Sequence, residues 1–363
     1  MRILIFINTS WNVYNFRAGL IRALHKRGHQ VHAVAPEDAY SIQLTAMGCV
    51  YHPVKMRNTG NNPWHDLSLV RQLYRLYRKI DPDLALHYTI KPNIYGTLVA
   101  HKLGIPSICT VSGLGTVFLT TGKTNHIAWL LYKLAFRYPK RIFFHNQSDL
   151  EIFEQNKLLS HKNYGLVPGS GIDIRRFSGS PSPLAPPFIF LMTARLIEEK
   201  GIRIYLKASE ILHSEGLVVK CQLLGPVDPA HKRSISMDEI DRSPVDYLGE
   251  THDIRDFISK AHVVVLPSFR EGLSRSLLEA AAMEKPIIAS AVPGCKEVVK
   301  DQINGLLCKP GDPVDLALKM KAMYSFSQAK LREMGTAGRK LVMEQFTEGQ
   351  VNRFYLDAIN EIA

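Results

Sequence analysis

The 363-residue sequence lacks most of the features that would assign it to a familiar class at sight. Its five cysteines (Cys49, Cys109, Cys221, Cys295 and Cys308) are odd in number, widely spaced and in no metal-ligand pattern. That excludes a disulfide framework or zinc module and predicts small buried thiols in a reducing compartment. No apolar run approaches the ~20 residues needed to cross a bilayer. Residues 2–7 (R-I-L-I-F-I) are apolar but stop at Asn8, too short for a signal peptide, so the cytosol is the expected address. No G-x-G-x-x-G follows this first run, which argues against a dinucleotide oxidoreductase. None of the 14 histidines stands in an H-E-x-x-H. The lone Asp-x-Asp, Asp81-Pro82-Asp83, carries a central proline and reads as a turn before a strand rather than a metal site. No metal and no cofactor are therefore expected, and no solenoid-length repeat is present.

Acidic residues are scarce in one half only. Residues 1–170 hold 20 Lys and Arg against 8 Asp and Glu, which accounts for the whole net charge of +12. The remainder is balanced at 25 of each sign. A basic first half predicts a polyanionic partner for it: nucleic acid, a phosphate-bearing ligand or an anionic membrane. A nucleic-acid module is disfavoured, because no zinc-finger pattern or aromatic RNP-like stripe accompanies the charge. With 46% hydrophobic and 21% charged residues the chain has material for globular cores, and its length predicts two of them.

Short apolar runs alternate with helical patterns throughout. Strands are expected at 2–7, 30–35, 50–54, 83–87, 106–111, 141–145 and 164–167, with helices clearest at 16–27, 67–80, 94–103 and 147–156. The proline-rich segment R-R-F-S-G-S-P-S-P-L-A-P-P, residues 175–187, interrupts the pattern as a linker. Strands resume at 188–194, 218–224, 245–248, 263–266, 286–290 and 305–308, with helices at 200–214, 252–260, 274–284 and 312–325. Such alternation means α/β architecture with parallel, doubly wound sheets. The expected division is residues 1–174, the linker, 188–345, and a C-terminal helix at 346–363 that returns to the first domain.

The stretch S-F-R-E-G-L-S-R-S-L-L-E, Ser268 to Glu279, lies where a buried strand, 263–266, gives way to a helix. In an open α/β sheet that crevice is the usual ligand position. The helix N-terminus offers unpaired N–H groups and a dipole suited to a diphosphate, and Gly272 leaves room for it. Glu271 and Glu279 bracket the loop at a separation of about 10 Å if the interval is helical. They can grip a sugar ring and a ribose; they can equally be a solvated loop glutamate and an ordinary helix glutamate.

Several further motifs stand in a fixed order with this one. T-A-R-L-I-E-E-K-G carries Arg195 and Lys200 five residues apart, Q-L-L-G ends at Gly225, and Y-L-G-E-T-H-D-I contains Leu248. P-G-C-K-E and D-Q-I-N-G-L-L-C-K-P-G-D follow, to Asp312. Together they resemble the retaining family-4 glycosyltransferases, whose GT-B fold sets two Rossmann-like doubly wound domains across a cleft. The resemblance implies that Arg195 and Lys200 contact the donor diphosphate, Glu271 the transferred sugar and Glu279 the ribose. Gly272, Leu273, Ser274, Gly225 and Leu248 would complete the donor site. S-G-L-G from Ser112, with K-P-N-I-Y-G upstream, is similar to the capsule and O-antigen branch that adds N-acetylgalactosamine to an undecaprenyl-diphosphate-linked sugar. The chain departs from the family in lacking paired glycines in T-S-W-N-V-Y-N-F-R and a histidine near Ser112, and in having Gly294-Cys295 for Gly-Gly.

On this reading the partners are a UDP-sugar and a polyprenyl-diphosphate-linked acceptor, with no nucleic acid. Arg17, Asn15, Lys91, Asn93 and Ser112 become acceptor candidates in an acceptor-binding first domain. The segment 124–141 is apolar and basic at once; it is either a buried helix with a snorkelling rim or an interfacial helix. As the latter, Trp129, Lys133, Phe136, Arg137, Lys140 and Arg141 would touch the anionic inner-membrane surface from its cytoplasmic face. Helix 64–80, with Trp64, Tyr74, Tyr77, Arg71, Arg75 and Arg78, has the same character. The alternatives are a UDP-sugar 2-epimerase of GT-B fold, and a family-4 transferase with another donor or a soluble acceptor.

Overall fold

The computed structural model describes residues 1–57, 63–114, 123–160, 163–179, 186–229, 231 and 233–362. Contacts divide the chain into two compact units, Met1–Gly171 with Glu348–Ala363, and Ile172–Thr347.

In the first unit the chain runs β1 (Arg2–Phe6), α1 (Ser10–Lys26), β2 (Gln30–Ala35), α2 (Ser41–Ala46), β3 (Val50–Pro53) and α3 (Pro63–Ile80). It continues through β4 (Leu84–Tyr88), a π-turn at Pro92–Gly96, α4 (Thr97–Lys102), β5 (Ser107–Val111) and α5 (Lys123–Ala135). β6 (Arg141–Phe144), α6 (Gln147–Gln155) and β7 (Tyr164–Leu166) complete this stretch. The strands form one parallel sheet in the order β3-β2-β1-β4-β5-β6-β7. Most are continuous apolar runs because helices bury both faces of the sheet. Strand order reverses between β1 and β4, and in open sheets of this kind the crevice at the carboxyl ends of such strands is the usual ligand position.

α1 begins at Ser10, six residues before the expected start, because Thr9 accepts from the Asn12 N–H at 3.0 Å and caps it. The buried face of α1 includes Val13, Arg17, Leu20, Ile21 and Leu24. The last helix of the chain, Glu348–Ile362, packs beside it through Val351, Tyr355 and Ile359. Tyr355 also hydrogen-bonds the Thr110 hydroxyl at 3.0 Å, and Arg22 pairs with Glu348 at 3.2 Å.

The second unit repeats the scheme: β8 (Phe188–Thr193), α7 (Ile202–Ser214), β9 (Val219–Leu224), α8 (Met237–Asp241), β10 (Val245–Tyr247) and α9 (Arg255–Lys260). Then come β11 (Val263–Leu266), α10 (Arg275–Ala282), β12 (Ile287–Ser290), β13 (Gly305–Cys308), α11 (Pro313–Ser325) and α12 (Gln328–Gln345). The parallel order β10-β9-β8-β11-β12-β13 reverses between β8 and β11. α8 was not expected, although Ser236 and Glu239 form its capping box in plain sight. The terminal helix of the first unit is α13 (Glu348–Ile362).

Two sequence expectations need correction. Phe136 is not a membrane residue: it is buried in the first unit among Tyr132, Phe144 and Phe153, edge-on to Tyr132 at 4.9 Å. Trp129 is half-buried against Phe153 at 6.1 Å, so the outward face of α5 is Ile127, Leu130 and Leu134 instead. The segment 175–187 does not begin as a free linker, since Phe177 is buried in the second core and its carbonyl accepts from Arg339 at 3.2 Å. Residues 180–185 of it lie outside the described residues. All five cysteines are buried thiols.

His87 is wholly enclosed, bonded to the Tyr77 hydroxyl and the Thr97 hydroxyl at 3.0 Å each. Burial pushes it down to about 3, and burial with the nearby Arg17 does the same to His145. Histidines depressed in the folded state remain neutral there while their unfolded counterparts take up protons. Their contribution to stability is therefore whole above the unfolded value of 6.5 and is lost as pH falls from there toward about 3. Each should steepen the acid loss of stability by roughly 1.4 kcal/mol per pH unit in that window. His145→Gln is expected to flatten the pH dependence of the urea-unfolding free energy by that amount between pH about 6 and 4. An unchanged slope would refute the assignment.

Candidate active site

The second unit gathers its candidate residues at the β8–β11 switch point. β8 leads through Arg195 into a 3₁₀ turn, Glu198–Lys200, and Gly201. Gly201 has φ 75°, and a Cβ there would overlap the carbonyl oxygen of Pro267, just past β11. The two loops thus lie backbone to backbone, tied also by the Phe269 N–H donating to the Glu199 carbonyl at 3.0 Å. Their contact delivers Lys200 to Glu271: Nζ lies 2.6 Å from Oε1 and 2.8 Å from Oε2. Both side chains are largely buried, so this is a charge-assisted contact with little screening. Ser268 donates its hydroxyl to Glu271 Oε1 at 2.7 Å and fixes the carboxylate from the other side. The Glu271 N–H donates to the Pro293 carbonyl at 3.1 Å and the Ser274 N–H to the Gly294 carbonyl at 2.9 Å. The loop bearing the glutamate is therefore held against the one after β12.

Ser274 caps α10, accepting from the Leu277 N–H at 3.4 Å. Leu277, Leu278 and Ala280–Ala282 bury the inner face of the helix. One turn on, Glu279 accepts from Arg275 Nε at 3.0 Å. Burial raises the Glu279 carboxyl above its ordinary value, and Arg275 opposes that. Arg195 is more open and lies 3.6 Å from Asp228. Gly225, φ 151°, closes β9 against Ala194, where any Cβ would overlap the Ala194 carbonyl oxygen. Leu248 and Leu273 pack partly buried on the core, beside partly exposed Gly272. Ser268, Arg275 and Asp228 escaped the sequence reading as site members. Arg275 and Ser268 stood inside the quoted motif, but nothing in the motif says which carboxylate each one meets.

In the first unit the acceptor candidates have unlike surroundings. Arg17 is only 3% exposed, with its guanidinium 3.9 Å from the Tyr88 ring and 5.8 Å from that of Tyr355. Its Nε has no hydrogen-bond partner, nor does His145 Nε2. No carboxylate pairs with it among the described residues. Asn93 is fully buried; its amide donates to the Thr110 carbonyl at 2.8 Å and its Oδ1 has no partner. Lys91 is not a free cation, because its Nζ lies 2.6 Å from Asp66, which also accepts from Tyr95 at 2.8 Å. Asn15 is spent locally on the Trp11 carbonyl at 3.0 Å. Ser112 is half-exposed at the end of β5, while Gly115 of its motif lies outside the described residues. Among the described residues no three His, Cys, Asp or Glu side chains gather as for a metal ion, and no helix is long and apolar enough to cross a membrane.

Comparison with known proteins follows the same division. Residues 187–325 match the family model of glycosyl transferases group 1, and residues 2–146 match that of glycosyl transferase 4-like proteins. The chain is 26% identical to the N,N'-diacetylbacillosaminyl-diphospho-undecaprenol alpha-1,3-N-acetylgalactosaminyltransferase of Campylobacter jejuni, covering 100% of this chain and 99% of that one. It is 24% identical to the Escherichia coli UDP-Gal:alpha-D-GlcNAc-diphosphoundecaprenol alpha-1,3-galactosyltransferase, over 68% of this chain and 67% of the other. Among solved structures, Anabaena HepE in complex with UDP and glucose superposes with a TM-score of 0.81 at 17% identity, covering 99% of both chains. A glycosyltransferase from Rickettsia africae gives 0.79 at 16% identity, over 99% and 98%. With two Rossmann-like sheets, both halves matched in order and the carboxylate–cation pairs at one switch point, this chain belongs to the group 1, family-4-like glycosyltransferases of GT-B fold and is a hexosyltransferase.

Proposed function

We propose that the enzyme moves a sugar, N-acetylgalactosamine in the first instance, from its UDP derivative to an undecaprenyl-diphosphate-linked sugar, with retention of configuration. The product would serve surface-glycan or glycoprotein-glycan assembly. The two curated relatives named above support the acceptor class, since both act on diphospho-undecaprenol sugars by name. The observation that carries the mechanism is Lys200 Nζ within 2.8 Å of both Glu271 oxygens. An ammonium so held is neutralised by a carboxylate until a diphosphate competes for it. Donor binding would draw Lys200 to the diphosphate and release Glu271 toward the sugar hydroxyls, with Ser268 keeping its carboxylate in place. Arg195 would join Lys200 on the leaving group, where cations preorganised for developing charge act most strongly. Glu279, oriented by Arg275, would hold the ribose, with Gly225, Leu248, Gly272, Leu273 and Ser274 lining the donor site. No carboxylate is assigned as a nucleophile: the donor's own phosphate takes the acceptor's proton on the face that the leaving group vacates, and the protein aligns the two substrates.

In the first unit, Arg17 and Asn93 supply the unpartnered buried polar atoms for the acceptor, with Ser112 and Asn15 at the rim. Lys91 could contribute only by exchanging Asp66 for the acceptor's phosphates. Exposed Lys133, Arg137 and Lys140 would draw the basic half toward the anionic cytoplasmic face of the inner membrane. Arg141 is partly engaged by Glu361 at 2.7 Å.

Two measurements test this reading. Arg195→Ala and Lys200→Ala should each lower turnover by on the order of 100-fold or more while donor affinity falls less. Near-normal turnover in folded variants would refute the leaving-group role. Glu271→Gln should depress kcat with donor KM largely kept, whereas Glu279→Gln should mainly raise donor KM. Chelator should leave the rate unchanged, and the product should be α-linked; a β-linked product would end the retaining assignment.

A further inference from the structure

The outward face of α3 has a composition that the transfer reaction does not use. Leu69, Leu73, Tyr77 and Ile80 form the buried face of the helix. On the opposite side Trp64 is 78% exposed, Leu67 40% and Tyr74 36%, and Arg71, Arg75, Arg78 and Lys79 are exposed as well. At about 100° per residue, Trp64, Leu67, Arg71, Tyr74, Arg75 and Arg78 fall within an arc of roughly 100°. Aromatic and aliphatic side chains therefore share one stripe with three arginines. The single acid of the helix, Asp66, is turned inward and held by Lys91 and Tyr95. No ion pair engages Arg71, Arg75, Arg78 or Lys79 among the described residues.

A second helix adds to this. α5 presents Ile127, Leu130 and Leu134 to solvent, spaced as one helical face, with exposed Lys133 on the same helix and Arg137 just beyond it. α5 has no acidic residue. Both helices pack against the π-turn at Pro92–Gly96, so two basic, apolar faces lie on neighbouring elements of one unit.

We infer that the outer face of α3, joined by that of α5, is the surface by which the enzyme docks on an anionic phospholipid bilayer. Charge complementarity selects this occupant. A stripe of cations without a single carboxylate fits lipid phosphates, while Trp64, Leu67 and Tyr74 fit the boundary between headgroups and acyl chains, where indole and phenol rings settle. The inference rests on the lipid-linked acceptor proposed above, and it moves the contact from Trp129 and Phe136, which face inward, to residues that face out.

The test is co-sedimentation with vesicles of phosphatidylglycerol and phosphatidylcholine, set beside vesicles of phosphatidylcholine alone. Each basic residue near such a surface contributes about 1 kcal/mol, so Arg71→Gln, Arg75→Gln and Arg78→Gln combined should weaken partitioning roughly 100-fold. Wild type should bind the anionic vesicles far better than the neutral ones. Brominated lipid should quench tryptophan emission in wild type and much less in Trp64→Phe. Transfer to a short-chain, detergent-soluble acceptor should be unchanged in these variants, since none of these side chains belongs to the reaction. Equal sedimentation of wild type and the triple variant, or equal quenching with and without Trp64, would overturn the inference. Salt-sensitive binding to an oligonucleotide without vesicle binding would overturn it in favour of nucleic acid. If wild type sediments as expected yet transfers nothing to the soluble acceptor, the docking surface stands and the proposed acceptor falls.

Discussion

The candidate site at the β8–β11 switch point depends on how closely two loops approach. The Pro267 carbonyl occupies the space that a side chain at position 201 would need, and a left-handed glycine is the residue that tolerates both the crowding and the φ. That contact, with the Phe269 N–H on the Glu199 carbonyl, ties the turn after β8 to the turn after β11. Lys200 and Glu271 are 71 residues apart in sequence, yet their charged atoms meet because their backbones cannot separate. A looser junction would let the lysine reach into water, where an ammonium is well solvated and its attraction to a carboxylate is screened.

The two units handle buried charge in opposite ways. In the second, each buried acid of the site has a cation at hand: Lys200 for Glu271, Arg275 for Glu279. In the first, Arg17 is enclosed with no carboxylate pairing with it among the described residues, and its guanidinium lies against the Tyr88 and Tyr355 rings. Stacking on Tyr88 recovers part of the hydration that the guanidinium gave up, but an ionic partner would recover more. On the proposed reading, the first unit keeps an underpaired cation for an anionic ligand, while the second, whose acids are paired, would exchange one partner for another.

Much of this was legible in the sequence, and the reason is the parallel sheet. A strand covered on both faces is a continuous apolar run, so 263–266 and 305–308 could be bounded to the residue from composition alone. Loops between such strands fall at the sheet's carboxyl edge by topology, which is why Glu271 and Glu279 could be set at a ligand crevice, while Arg195 and Lys200 were named with them through the family resemblance. Pairing was not legible. Asp66 could serve solvent, a helix dipole or Lys91, and only the packing of α3 on the π-turn decides among them. Facing was not legible either where a helix is apolar all round. In α5 and just beyond it, Phe136 and Leu130 are equally hydrophobic letters, and the core took Phe136 because Tyr132 was there to meet it edge-on and Phe153 at a tilt.

The return of α13 to the first sheet has a consequence for how the chain is made. Val351, Tyr355 and Ile359 belong to the same core as Ile3 and Ile5. The first unit is translated first but is finished last, when residues beyond 348 leave the ribosome. By then the whole of the second unit, Ile172–Thr347, has been synthesised and is free to close on itself. At the ribosome the nascent first half would carry an open apolar seam along α1 for the time it takes to add some 180 residues, on the order of ten to forty seconds. Until α13 is made, the first unit is the one whose core stays incomplete.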